Sequence, residues 1–345
     1  LPKEDSFIIN MILKKNFFKL SILTLIIYPL SFANQILVSN HFGTSKIIDF
    51  FWLSLSAALL LSMHIGPIKE NLVNDFHKIR KKSINESNQY LSQNLNFWFI
   101  VTFLFSLLFW FYPLEIILLS YDNQQANFIS SEIWIFKILI IFMFTQCIND
   151  LFSSILVSSG KVIFQNLNKF ATTLGSVIII LTCFEILKEY VLVIGILIGS
   201  LLFLFYQYYY LKKSNINFNL LAFPKISLKF LKKFSILFFP GTIGYIYVFY
   251  ERTVFNDISP GLISSFQYAK SLHDIPQHLI ILVIASSLWP LYIDEIKNNQ
   301  GERIYEMTKK KVIIVILFFS IISLFILLSA KEIIYLIYFR GSFDK

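Results

Sequence analysis

Cysteine and charge are both scarce in this chain of 345 residues, and each scarcity excludes a class of protein. The two cysteines, Cys147 and Cys183, form no CxxC pair and no cluster with histidine. Neither a disulfide framework nor a metal site of the zinc type is therefore expected. Charged residues make up 15% of the chain and hydrophobic residues 56%. That balance excludes an ordinary soluble domain.

Recognisable catalytic motifs are missing as well. The sequence contains no GxSxG elbow, no HExxH pair and no glycine loop of the Walker type. No connection on the predicted outer side is long enough to fold as a domain that could hold reactive carboxylates. We therefore expect no enzyme activity, no cofactor and no resident metal, and any energy the chain needs does not come from ATP that it binds itself.

Long apolar runs are what the chain has in abundance. Nine of them are near or above the ~20 residues that a helix needs to cross a bilayer core. Because a chain in lipid must satisfy its own backbone hydrogen bonds, the runs are predicted to be helices. The predicted fold is all-α and polytopic, with about nine transmembrane helices over residues 17–39, 47–68, 91–118, 133–157, 162–184, 190–211, 234–250, 262–292 and 312–328.

Basic residues divide unequally between the two sides of this arrangement. Of the 30 lysines and arginines, 21 fall in every second gap, six fall in the other gaps, and Lys137, Lys169 and Lys270 lie inside spans. Because such residues accumulate on the cytoplasmic side, the N-terminus is predicted to be cytoplasmic. The net charge of +9 lies on short loops beside anionic headgroups, so membrane lipids and not nucleic acid are the expected partners.

The gaps also suggest a division of the chain. Residues 1–16 are predicted to be a cytoplasmic segment, 17–211 a first lobe of six helices, 212–233 a cytoplasmic linker and 234–345 part of a second lobe. A weak repeat supports this, since spans one and seven open on LSILTLIIYP and FSILFFP and each contains one proline, Pro29 and Pro240. Residues 69–90 are expected to be a solvated loop, with a basic surface helix as the alternative.

Polar residues inside spans are costly and usually face a partner or a cavity. Span eight has the most, and Lys270 and Asp274 are four residues apart, so they share one helix face. We interpret the polar face of span eight as one wall of a polar cavity. The alternative is a helix end with an internal Lys–Asp pair. Its polar residues are Gln267, Lys270, His273, Asp274, Gln277 and His278.

Other polar residues have simpler interpretations. His64 in span two is expected to form a hydrogen bond between helices. Asp150 and Lys169 lie at similar predicted depths, and either an ion pair or a gate is possible between them. Arg252, at the outer end of span seven, is expected to be solvated.

Three stretches of the sequence resemble the MurJ/MviN lipid-flippase family of the multidrug/oligosaccharidyl-lipid/polysaccharide exporter superfamily. One stretch, from 258 to 292, carries a Pro-Gly turn, a Tyr-Ala pair, a proline and a closing Leu-Trp-Pro. A second, FGTSKIIDFFWLSL, includes Asp49, and the third is YFRGSFDK at 338–345. The resemblance implies fourteen helices in all, of which twelve form two lobes of six and two are extra. This chain would then be C-terminally truncated, with one lobe and about half of the next.

The resemblance also implies a cavity between lobes that meets a lipid-linked pyrophosphate. The resemblance implies that the positions of the family's cavity arginines correspond here to Tyr28, Asn34 and Ser271 and lie near Ser62 and Met63. Lys270 is the one cation beside these positions. The residues expected to bind substrate are Lys270, Asp274, His273, Gln277, Asn34, Asp49 and Tyr28, with Asp150 and Lys169 as a candidate gate or ion pair.

The function implied is a flippase for a polyprenyl-pyrophosphate-linked saccharide in the bacterial inner membrane. That saccharide is either lipid II or a surface-polysaccharide unit. An O-antigen or capsule exporter and a small-molecule antiporter of the same superfamily are the alternatives, and a membrane polysaccharide polymerase is a weaker one. Expected partners are the lipid-linked saccharide, membrane lipids and, as further candidates, proteins of cell-envelope polysaccharide assembly.

Overall fold

A computed structural model describes residues 3–121, 126–219, 222–223, 228–274, 301–339 and 341–344, and in these ranges all regular structure is helical. The chain divides into two compact units. We call Thr44–Phe266 the central unit, and Leu1–Gly43 with Gln267–Lys345 the terminal unit. The helices are α1 Lys3–Phe42, α2 Lys46–Leu59, α3 Ile65–Arg80, α4 Ile84–Phe111, α5 Pro113–Leu118, α6 Ala126–Ser158, α7 Phe164–Leu187, α8 Val191–Lys213, α9 Leu228–Ile258, α10 at 262–274, α11 Gly301–Leu328 and α12 Ala330–Tyr338.

The helices coincide with the predicted spans, although span eight is described only as far as residue 274. By length and apolar composition, four segments can each cross a membrane: Ser21–Phe42, Lys46–Arg80, Ile84–Phe111 and Ala126–Ser158. A fifth span results if α11 and α12, which are bent by 73°, are counted together. The helical membrane fold is thus confirmed, and the number of spans is supported approximately.

Span two is not one regular helix. It is broken after α2 by a 3-10 turn, Leu60–Ser62, and α3 begins again at Ile65. Pro67 fits there because the first turn of a helix needs no N–H from it. His64, at the break, bonds through Nε2 to Thr102 Oγ1 at 2.7 Å and stacks on the Trp98 ring. The expected hydrogen bond between helices is present at His64.

The expectation of a loop over residues 69–90 is wrong. Helix α3 continues to Arg80 because its apolar side, with Leu72 and Phe76, is fully buried. Helix α4 begins four residues later, at Ile84, and the preceding Ser83 Oγ accepts a hydrogen bond from the Glu86 N–H at 3.3 Å. The Ser-x-x-Glu pattern is an N-terminal capping signal, and it could have been found in the sequence.

The segment after α8 is attached to the helices beside it. Arg80 donates to the Ser214 carbonyl at 2.8 Å, and the Asn219 N–H donates to Ser92 Oγ at 2.9 Å. The Asn96 amide donates to the Asn219 carbonyl at 2.9 Å. Residues 214–219 therefore belong to the central unit, and the division into lobes by a linker stays a prediction.

Two kinds of packing hold the central unit together. Large apolar side chains such as Phe76, Leu95 and Leu151 form a shared core, and α7 and α8 approach each other through glycine. A Cβ on Gly199 would collide with the backbone of Ala171. The close approach requires glycine there, because any larger residue would separate the two helices.

Candidate functional site

Asp49, near the start of α2, is a cap for helix α10. Its side chain is 3% exposed, and one carboxylate oxygen accepts a hydrogen bond from the Ser264 N–H at 2.8 Å. The other oxygen accepts from the Gly261 N–H. These N–H groups lie at the positive end of the helix dipole, where a carboxylate is stabilising. Asp49 was predicted to contact substrate, but both of its oxygens are engaged in positioning α10.

A cavity lies beside this cap, within the central unit. Its volume is about 140 Å³. The residues that line it come from α2, α6, α9, Tyr121 and the turn before α10, and they are Lys46, Asp49, Tyr121, Phe128, Asn256 and Pro260. The sequence contained no signal for this cavity, because it depends on the meeting of segments that lie far apart in the chain.

Arg252 corrects one expectation. It was expected to be solvated, but its side chain is 6% exposed and its guanidinium carbon lies 5.7 Å from the centre of the Trp52 ring. A guanidinium over an indole face is an attractive cation–π contact. The prediction failed because α9 continues to Ile258, so Arg252 lies well inside a helix and not at its end.

The polar face of α10 is mostly exposed. Lys270 and His273 are exposed, and Asp274 is half-buried. The Asp274 carboxylate lies 3.4 Å from His273 Nδ1. The described part of the chain contains no Lys270–Asp274 ion pair, so the pair that was the alternative interpretation of this face is absent. Since an exposed pair of this kind gains little in water, its absence costs the fold little.

Two other predicted residues lie on α1. Tyr28 and Asn34 are half-buried, and the Asp274 carboxylate lies within electrostatic reach of the Tyr28 phenol, inside the terminal unit. Gln277, also predicted to bind substrate, lies outside the described residues.

The motif residues that carry the resemblance form a structural joint in the terminal unit. Tyr268 is 2% exposed, its hydroxyl donates to the Gly43 carbonyl at 2.7 Å, and its ring lies 5.2 Å from that of Tyr338. Ser271 shares a 2.7 Å hydrogen bond with the Tyr338 hydroxyl. Gly341 has a φ of +58°, and a Cβ there would collide with Asn40. These residues hold α1, α10 and the turn after α12 together.

Asp150 forms an ion pair with a residue that sequence reasoning missed. Its carboxylate lies 3.5 Å from Lys69 Nζ, and the two side chains are 44% and 36% exposed. Lys69 was overlooked because it was assigned to a loop, whereas it is part of α3. The role of Lys169 as part of a gate stays a prediction.

Comparisons with known proteins agree on one family. The family model described as lipid II flippase MurJ matches residues 38–345. A probable lipid II flippase MurJ of Helicobacter pylori (strain J99) is 28% identical over 120 residues, which are 34% of this chain and 26% of that protein. One of Buchnera aphidicola subsp. Baizongia pistaciae is 24% identical over 358 residues, covering 95% of this chain and 66% of that protein.

A solved structure agrees with the fold. It is that of a lipid II flippase MurJ in an inward closed conformation, with a TM-score of 0.68 and 22% identity. The match covers 94% of this chain and 68% of that one. The chain spans less than two thirds of the length of the curated relatives that it matches.

Proposed function

We propose that this chain, which belongs to the lipid II flippase MurJ family, moves a polyprenyl-pyrophosphate-linked saccharide across the bacterial inner membrane by alternating access. The observation that carries the proposal is the family match over residues 38–345, and the helical membrane fold supports it. A transporter binds its cargo and releases it unchanged, so the proposal requires a polar path for the headgroup and no reactive residues.

The polar face of α10 is the proposed contact for the pyrophosphate. Lys270 is exposed, and no ion pair within the described ranges occupies its ammonium group. A lysine that meets a phosphate in a partly dry cavity forms a charge-assisted hydrogen bond, which is stronger than one between neutral groups. His273 and Asp274 follow on the same face, and Tyr28 and Asn34 are the proposed contacts from α1.

Movement requires segments that can adopt two arrangements. The break after α2 at 60–64, and Pro29 and Pro240 inside α1 and α9, are the proposed bending points. A break in the backbone hydrogen-bond ladder makes a helix easier to bend. Repeated helical bundles that rock about a fixed site are a common way to alternate access. The lipid tail would stay in the bilayer while the headgroup crosses.

A surface-polysaccharide precursor is the second candidate substrate. It is favoured by one implication of the resemblance, that the family's cavity arginines would fall on Tyr28, Asn34 and Ser271 and near Ser62 and Met63, none of which is basic here. A small-molecule antiporter has less support. It needs a deep carboxylate for the coupling ion, and Asp150 is 44% exposed and paired with Lys69.

The orientation proposed has the N-terminus in the cytoplasm, supported by the unequal division of lysine and arginine. It can be tested in a background where both native cysteines are alanine. Lys82→Cys, between α3 and α4, should resist an impermeant thiol reagent in intact cells, and Ser259→Cys, between α9 and α10, should react. The reverse pattern would invert the topology.

The transport activity itself is tested in the host cell. The gene is depleted, and an externally added enzyme that cleaves the saccharide–pyrophosphate headgroup reports how much lipid is exposed outside. Depletion should leave lipid II inside and protected. Normal exposure of lipid II, together with loss of an exported polysaccharide, would transfer the assignment to the second substrate, and normal exposure of both would contradict a flippase.

A further inference from the structure

We propose that the cavity in the central unit binds one sugar ring of the saccharide headgroup on the outer side of the membrane. The inference rests on the proposed function, since it concerns the same cargo after it has crossed. The cavity is distinct from the polar face at Lys270, because the six described residues that line it belong to Thr44–Phe266.

The lining offers the mixture of groups that a sugar ring needs. Lys46 is exposed and supplies an ammonium donor, and the Tyr121 hydroxyl makes no hydrogen bond within the described part of the chain. Asn256 uses its amide N–H on the Ser120 carbonyl at 3.0 Å, which leaves its amide oxygen as an acceptor. Phe128 adds an aromatic ring. Donors, acceptors and an apolar ring together suit hydroxyl groups around a carbon skeleton.

Charge favours a neutral hydroxylated ligand over a phosphate. Asp49 also lines the cavity, and its carboxylate is already satisfied by the N–H groups of Gly261 and Ser264. The described lining therefore carries one charge of each sign, the ammonium of Lys46 and the carboxylate of Asp49. A site built for a phosphate would carry an excess of cations, as arginine-lined sites do.

Size limits the ligand to a single ring. The volume of about 140 Å³ is below the ~300–1,000 Å³ of sites for drug-sized ligands. A chain of several sugars does not fit. The outer location follows from the proposed topology. In that topology Lys46 lies on the side that has only six of the lysines and arginines, which is the side opposite the cytoplasm.

The proposal is tested by saturation-transfer NMR on the purified chain in detergent, with N-acetylglucosamine as the probe. The wild-type chain should transfer saturation to the sugar. Tyr121→Phe and Lys46→Gln should each weaken binding about three- to tenfold, the effect of losing one hydrogen bond. Lys331→Gln, an exposed lysine on α12, is the matched control and should bind as the wild type does. Unchanged thermal unfolding of each variant establishes that the fold is intact.

Three outcomes would overturn the cavity proposal. The first is that the wild-type chain transfers no saturation to the sugar, and the second is that all variants bind the sugar equally. The third is that inorganic pyrophosphate displaces the sugar at stoichiometric concentration. Binding does not depend on transport, so the two proposals fail separately. Sugar binding without headgroup export in cells would contradict the proposed function, whereas export without sugar binding would contradict the cavity.

Discussion

The first turn of α10 and the face that follows it two turns later differ in almost every physical respect. At the first turn, a carboxylate that is 3% exposed accepts hydrogen bonds from two backbone N–H groups. At residues 270–274, an exposed lysine has no ion-pair partner in the described ranges, and histidine and aspartate are 3.4 Å apart. The first region is satisfied by the fold, and the second still has groups to offer a ligand.

The difference between these two regions indicates why the motif residues of the family resemblance lie where they do. Gly261, Tyr268 and Gly341 are motif residues, and each is needed where backbones approach closely or a hydroxyl ties two segments together. Such joints cannot change without a loss of stability, since buried polar groups must be paired. The exposed face has no such constraint.

The largest effect is expected from Asp49→Asn. The amide oxygen of the asparagine can still accept one of the two backbone hydrogen bonds. Its NH₂ group faces the other backbone N–H, so one buried hydrogen bond is replaced by two donors that face each other. We expect a loss of about 3 kcal/mol of stability, the upper range for a hydrogen bond to a charged group, and loss of export. Thermal unfolding in detergent measures it. Asp257→Asn, an exposed acid at the end of α9, is the control, and equal stability of the two variants would contradict the cap.

A smaller effect, confined to binding, is expected from Lys270→Ala. Loss of one charge-assisted contact should weaken the affinity for the lipid-linked pyrophosphate about ten- to hundredfold, because such a contact contributes about 1.5–3 kcal/mol. Stability should not change, since Lys270 is exposed. Lys270→Arg should restore binding in part, because a guanidinium offers a planar fork where lysine offers a point charge. An affinity equal to that of the wild type would remove Lys270 from the site.

The smallest effect is expected within the central unit, at Lys69 and Asp150. The pair is more than a third exposed, so it should contribute about 0–1 kcal/mol. Lys69→Ala and Asp150→Ala should each leave export near normal if the pair is structural. If it is a gate, both single variants should impair export, and the exchange Lys69→Asp with Asp150→Lys should recover it.

Much of the fold was predictable because the length of an apolar run and the position of basic residues beside it can be read from the local sequence. Wherever the structure describes them, the predicted apolar runs correspond to helices, and the prolines of α1 and α9 are where the repeat indicated. The break in span two was not predicted, although Gly66–Pro67 marks its position, because composition alone gives no account of a 3-10 turn. The loop at 69–90 was wrong because the buried Phe76 was not recognised as part of a helical apolar face.

The site was less predictable than the fold, and the reason is physical. Lys270, His273 and Asp274 share a helix face, as their spacing indicated, but spacing does not decide which charges pair. Asp49 was identified as important from a motif, and only the structure gives its bonding to the start of α10. Lys69, Arg252 and the cavity depend on contacts between distant segments, for which a single sequence contains no pattern.

The central claim is that the α10 face meets the headgroup, and photo-crosslinking tests it most directly. A photoreactive residue replaces His273, which leaves Lys270 intact, and a radiolabelled polyprenyl-pyrophosphate-linked saccharide is added to membranes. The account predicts a crosslink that excess unlabelled substrate suppresses and that Lys270→Ala reduces at least tenfold. A crosslink that is absent, or that persists unchanged in Lys270→Ala, would contradict it.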